Sequence, residues 1–190
     1  MKASKISFLV IFMAAVVCLA ADPVDTVVSG PKDATDKTKE INAGYLKALP
    51  FMDKKDFEDA SRGLIATEPG LVVKNDQGGV IWDMAQYGFI KGDAPDTVNP
   101  SLWRQAQLNN VYGLFKVCDH IYQVRGYDLS NISFIEGKTG YIVIDPLVSA
   151  EVAKASLELL YKHVGKKPVK AVIYTHSHID HWGGVKGVVD

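Results

Sequence analysis

Apolar positions along this chain follow two rhythms, and the change from one to the other falls near residue 115. Before it the spacing is helical. Ile41, Tyr45, Leu46 and Leu49 share one stripe of a segment running from Thr35 to Leu49, which Pro50 closes. Phe57, Ala60 and Leu64 predict a second short helix, with Asp53 placed to cap its N-terminus. Both read as surface helices. Leu71-Val72-Val73 and Val80-Ile81-Trp82 flank Gly78-Gly79, which is the pattern of a β-hairpin. Asn99-Pro100-Ser101 then opens a helix through Leu102, Trp103 and Leu108, with proline where a missing N–H is not needed.

Beyond residue 115 the period shortens to two. Residues 120–124 and 132–135 alternate as strands, and Gly137-Lys138-Thr139-Gly140 turns the second into the apolar strand Tyr141-Ile142-Val143-Ile144-Asp145. Ser149 can cap a helix that begins at Ala150 and puts Val152, Leu157, Leu160 and Val164 on one face. Gly165 sits where the C-terminal cap belongs. Residues 169–174 form a last β-branched strand. Strand, helix and strand with short joints make an α/β unit, and such units gather functional groups at the carboxyl ends of their strands.

Composition adds less. Across 190 residues, 47% hydrophobic and 23% charged content predicts an ordinary packed core. A net charge of −1 offers no basic surface, so no nucleic acid is expected as a partner. The N-terminus is distinctive. Lys2 and Lys5 precede an apolar run over residues 8–17, and Cys18-Leu19-Ala20 supplies small residues ahead of a cut before Ala21. Residues 1–20 therefore read as a signal peptide, too short in its apolar part to span a bilayer comfortably. The protein is expected to be periplasmic or secreted, with no stable membrane span after cleavage. Cys118 would then stand alone, unable to form an internal disulfide and suited to packing as a small hydrophobe.

The chemistry lies near the C-terminus, in Thr175-His176-Ser177-His178-Ile179-Asp180-His181-Trp182-Gly183-Gly184. Three of the five histidines fall within six residues, with one carboxylate among them. Neutral imidazole and carboxylate are the usual ligands of zinc, so His176, His178, Asp180 and His181 are candidate metal ligands. Extended backbone points His176 and His178 the same way, toward one ion. Asp180 and His181 follow a change of direction and suit a second ion or a water. Four donors exceed what one catalytic ion with an open position needs, so two ions are expected. Asp145, at the end of the neighbouring strand, is placed to orient the loop or a ligand histidine from behind. Gly183 and Gly184 let the backbone come close and start a following helix. His120 and His163 stand apart from the cluster.

The strand followed by His176-Ser177-His178-Ile179-Asp180-His181 resembles the metal-binding motif of the metallo-β-lactamase superfamily. Residues 99–109 and 113–117, then Ile121-Tyr122-Gln123-Val124-Arg125-Gly126-Tyr127-Asp128-Leu129-Ser130-Asn131 and Phe134-Ile135-Glu136-Gly137, resemble the zinc-dependent alkyl sulfatases of that superfamily. The resemblance implies an α/β fold of the α+β kind: an incomplete αββα sandwich over residues 115–190. A mostly helical extension with a hairpin, residues 21–114, would precede it. It further implies a sulfuric ester hydrolase acting on small-molecule alkyl sulfates such as dodecyl sulfate. Two Zn²⁺ would be bound, His176 and His178 on one, Asp180 and His181 on the other, and Asp180 would also orient the attacking hydroxide. The family carries further ligands, sulfate-binding residues and a dimerisation domain after this motif. The 190-residue chain therefore reads as an N-terminal fragment, inactive alone, with a homodimer left open for a longer parent. The alternatives are a lactamase, thioesterase or lactonase of the same superfamily, or a truncated product that binds metal without catalysis. The text at 99–131 disfavours the first.

Overall fold

The structure, a computed structural model, describes residues 30–189, and the signal-peptide expectation lies outside them. From residue 33 the described chain forms one compact unit. Its helices are α1 (Asp36–Ala48), α2 (Lys55–Ser61), α3 (Pro100–Asn109) and α4 (Ala150–His163). Its strands are β1 (Leu64–Ala66), β2 (Val72–Lys74), β3 (Val80–Asp83), β4 (Gly113–Cys118), β5 (Ile121–Arg125), β6 (Ile132–Glu136), β7 (Tyr141–Ile144) and β8 (Val169–Ile173). None of the described helices is long and apolar enough to cross a membrane.

Six strands make one sheet in the order β1-β4-β5-β6-β7-β8, antiparallel throughout except for the β7–β8 pair. That parallel pair is the predicted α/β unit, with α4 as its crossover. Ser149 caps α4 by accepting the Val152 N–H, and Gly165 just past its end takes φ 136°, which its missing Cβ permits. α4 buries Val152, Ala153, Leu157 and Leu160 against Leu114, Val124, Ile132, Phe134, Tyr141 and Val143 from the sheet. Removing this apolar surface from water, at roughly 25 cal/mol per Å², is the main force holding helix to sheet.

The extension folds largely as its pattern predicts. Thr35 and Asn99 cap α1 and α3, with Pro100 opening α3. Neither α1 nor α2 has a buried residue, so both are surface helices. β2 and β3 form the Gly78-Gly79 hairpin. The N-cap of α2 is Lys54 rather than Asp53, which stands one residue earlier and accepts the Lys55 N–H at 2.9 Å. Arg104 on α3 reaches back to Asp56 at 2.9 Å and to the carbonyls of Phe51 and Asp53, tying α2 and the turn before it to α3.

Three local expectations are corrected. Leu64 does not continue α2, because Gly63 at φ 79° turns the chain and Leu64 enters β1, paired with Phe115. Cys118 is exposed rather than buried, since it ends β4 where the register slips before the turn at His120. Within the histidine cluster the chain forms a 3-10 turn at Ile179–His181, and after it only a second at Val185–Gly187, not a longer helix.

At the end of the sheet remote from the cluster, Glu136 accepts a hydrogen bond from Lys167 at 2.6 Å and faces His120 at 3.4 Å. The Lys167 bond holds the Glu136 carboxyl below the usual glutamate range. A carboxylate with a depressed folded pKa stabilises the protein above its unfolded value, and the effect is lost as pH falls through the folded value. Glu136→Gln is therefore expected to lower the thermal midpoint at pH 7, and the gap to wild type should close below about pH 4.3. Thermal melts of both proteins across that window check this.

Candidate metal centre

The centre is built where β7 and β8 end side by side. Asp145 follows β7 with its N–H bonded to the Ile173 carbonyl at 3.0 Å, which keeps the two strand ends together. Its backbone lies in the left-handed region at φ 55°, and Leu147 does the same at φ 64°. Such a conformation costs a non-glycine residue of order 1–3 kcal/mol and persists only where the surroundings fix it. Here they do. Asp145 is 7% exposed, and its carboxylate accepts three hydrogen bonds. The donors are the Thr175 N–H at 2.8 Å, the Thr175 hydroxyl at 2.7 Å and His181 Nδ1 at 2.9 Å. Burial disfavours its charge, but the Thr175 N–H and the side chains of His181 and Thr175 outweigh that, and the carboxyl lies below its ordinary value. Asp145, expected to orient the loop or a ligand histidine, thus bonds Thr175 and His181.

The three clustered histidines come together. The ring of His176 lies 4.7 Å from that of His178 and 4.0 Å from that of His181. Alternation along extended backbone accounts for the first pair, and the 3-10 turn at Ile179–His181 swings His181 back toward them. Asp180 is drawn in too, with Oδ2 3.2 Å from His181 Nε2. Because Asp145 takes Nδ1, the Nε2 edge of His181 is the one turned toward the other donors. His176 and His178 are exposed, whereas Asp180 and His181 are half-buried. His120 and His163 stay away from the cluster, the former beside Glu136 and the latter in the last turn of α4.

The glycines work as expected of them. A Cβ on Gly183 would lie 2.3 Å from the Val148 carbonyl oxygen, and one on Gly184 would lie 2.1 Å from that of Pro146. Only glycine lets the loop return so closely over residues 145–148. The Trp182 indole N–H closes the loop from outside by donating to the Ser177 carbonyl at 3.0 Å.

Three supporting residues escaped the sequence reading. Thr175 links the Asp145 carboxylate to His176, whose Nδ1 lies 3.0 Å from its hydroxyl. The Ser130 hydroxyl, in the loop joining β5 to β6, donates to the Asp180 carbonyl. Asp128, in the same loop, accepts the Val148 N–H at 2.9 Å and the Leu129 N–H. Burial raises the Asp128 pKa, and the nearby Asp180 charge adds to the rise. The one available signal was the Asp128-Leu129-Ser130 text itself, which lies in a strand connection rather than near the histidines.

Among the described residues, no three His, Cys, Asp or Glu side chains surround a common point that would hold a metal ion. The fit to metal is one of donor chemistry and proximity. Three imidazoles in ring contact and an adjoining carboxylate, one imidazole held from behind by a buried carboxylate, are the donor types that zinc takes.

Residues 125–190 match the metallo-β-lactamase superfamily model. The chain is 61% identical over 161 residues to the linear primary-alkylsulfatase of Pseudomonas sp., a match covering 84% of this chain and 24% of that protein. It is 52% identical over 173 residues to an (R)-specific secondary-alkylsulfatase of Pseudomonas sp., covering 90% of this chain and 25% of the relative. Among solved structures, the stereoselective inverting sec-alkylsulfatase Pisa1 from Pseudomonas sp. superposes with a TM-score of 0.79 at 54% identity, over 84% of this chain and 25% of that one. The fold is that of the metallo-β-lactamase superfamily. Within it, most of the chain aligns with alkylsulfatases. It spans about a quarter of the length of the relatives it matches.

Asp145→Ala is expected to lower the unfolding free energy by about 1–3 kcal/mol, the cost of leaving buried donors without an acceptor. Urea denaturation should show this as a lower midpoint at an unchanged slope. An unmoved midpoint would remove Asp145 from its supporting role.

Proposed function

We propose that the protein carrying this chain hydrolyses sulfate esters of long-chain primary alcohols at a site built on His176, His178, Asp180 and His181. The observation that carries the reading is their gathering at the ends of β7 and β8, in a chain most of which aligns with named alkylsulfatases. The 61% identity to a primary alkylsulfatase against 52% to a secondary one favours the primary ester. His176 and His178 would hold one zinc ion, with Asp180 and His181 holding the other. When bound, such ions supply Lewis-acid charge that activates water and offsets charge on the departing group.

The chain's own residues do the positioning. Asp145 fixes the His181 ring through Nδ1, so that Nε2 is the atom offered to a ligand. Thr175 and Ser130 hold the two ends of the cluster, at His176 and at the Asp180 carbonyl. Asp180 is the carboxylate placed to take a proton from, or orient, an attacking water beside the histidines. The two lysines and the apolar run within residues 1–20 support export to the periplasm or beyond as part of the same proposal.

The test is metal content and sulfate release in the protein that carries this sequence. Wild type should hold about two zinc per chain and release sulfate from dodecyl sulfate. His176→Ala combined with His178→Ala should lose zinc and reduce sulfate release beyond the about 10–100-fold that loss of a supporting partner costs. Unchanged zinc in the double variant would refute the ligand assignment, and no sulfate release by wild type would refute the reaction.

A further inference from the structure

A cleft of about 520 Å³ opens between the extension and the loop joining β5 to β6. One wall is apolar and aromatic: Trp82, Met84, Tyr87 and Ile90 follow one another along β3 and the turn after it, and Ala106 on α3 extends it. This wall is ordered by its own contacts. The Trp82 indole N–H points at the Met84 sulfur at 3.1 Å, and the Trp82 and Tyr87 rings lie 6.1 Å apart. Leu129, from the loop after β5, also lines the cleft and is 77% exposed, a large apolar side chain with little cover, while Asn109, Asn110 and Asn131 add polar groups to the lining.

The same loop connects the cleft to the cluster. Ser130, next to Leu129, donates to the Asp180 carbonyl, and Asp128 on the other side holds the Val148 N–H. Consecutive Cα atoms are about 3.8 Å apart, so Leu129 stands within a few residue lengths of the histidine loop. The volume falls in the range of roughly 300–1,000 Å³ typical of small-molecule sites. Charge in the lining suits an anionic amphiphile. Asp128, the lining's carboxylate among the described residues, is engaged by backbone amides. Arg125 also lines the cleft, steadied by Gln123 at 2.7 Å over the Phe115 ring, and no carboxylate pairs with it among the described residues.

We propose that this cleft holds the aliphatic tail of the ester, with Leu129, Met84 and Ala106 in contact with it and the sulfate directed to the 176–181 loop. The proposal rests on the sulfatase reading for the head group, but its content is the tail: chain length is sensed by the N-terminal extension rather than by the histidine loop.

Two series measured on the protein carrying this chain separate the tail site from the reaction. The first is kcat and KM for hexyl, octyl and decyl sulfate. The second is calorimetric binding of the matching alkanesulfonates, which have no ester bond to break, below their micelle concentrations. Wild type should gain about fourfold in affinity per added methylene, from about 0.8 kcal/mol per buried CH₂. Ala106→Phe, which fills the cleft, and Leu129→Ser, which removes an apolar side chain from its lining, should each flatten that slope. Each should also raise KM for decyl sulfate about tenfold, with a much smaller change in kcat. Should Ala106→Phe fail to fold, Leu129→Ser decides alone, its side chain being exposed. A slope that persists unchanged in Leu129→Ser overturns the proposal even if sulfate is released. Sulfonate binding that loses its slope in the variants, with no ester hydrolysed, upholds the tail site and overturns the reaction instead.

Discussion

One buried carboxylate carries the functional end of this molecule. Asp145 stands at the tip of β7 in a left-handed conformation that costs energy, and its side chain accepts from Thr175 twice and from His181 once. Ionising it out of water is unfavourable, and three donors make it worthwhile. The result is that the end of β8, the start of the histidine loop and the last of its histidines are referred to a single point. A loop with three histidines and no such anchor would have many side-chain arrangements. With it, the Nδ1 edge of His181 is bonded to Asp145, its Nε2 lies near Asp180, and its ring lies against that of His176.

The rest of the fold exists to place that point and keep it. α4 spans the β7–β8 crossover and buries its apolar face on the sheet, which fixes the two strand ends in parallel. Gly183 and Gly184 then bring the loop back over Val148 and Pro146, at distances no side chain would allow. From the opposite side, the loop between β5 and β6 adds Ser130 against Asp180 and Asp128 against Val148. The anchored loop is thus enclosed by backbone and hydroxyl contacts on two sides, with His176 and His178 exposed.

Much of this was readable in the residues. The β7–α4–β8 unit, the hairpin and α3 all follow from periodicity with local caps: Ser149, Asn99 and the glycine pair at 78–79 act within a few residues of where they stand. The histidine cluster and Asp145 were readable because ligand chemistry limits the residue types involved. What could not be read depends on distant pairing. β1 is three residues long and exists because β4 accepts it, so Leu64 looked like the next turn of a helix. Cys118 packs nowhere because a register slip at the end of β4 turns it outward. Ser130 lies 50 residues from the carbonyl it binds, and a serine hydroxyl in a loop has no pattern that announces such a partner. Thr175 likewise looked like the end of a strand rather than a bridge.

The central claim is that Asp145 fixes the His181 ring through Nδ1, leaving Nε2 to serve the site. Long-range ¹H–¹⁵N correlation spectra of the metal-free protein near neutral pH, with His181 assigned by substitution, measure this directly. The account predicts a proton held on Nδ1 and directed at the Asp145 carboxylate, an arrangement lost in Asp145→Ala. An Nδ1 without a proton in the wild-type protein, or the same spectrum in both proteins, would contradict it.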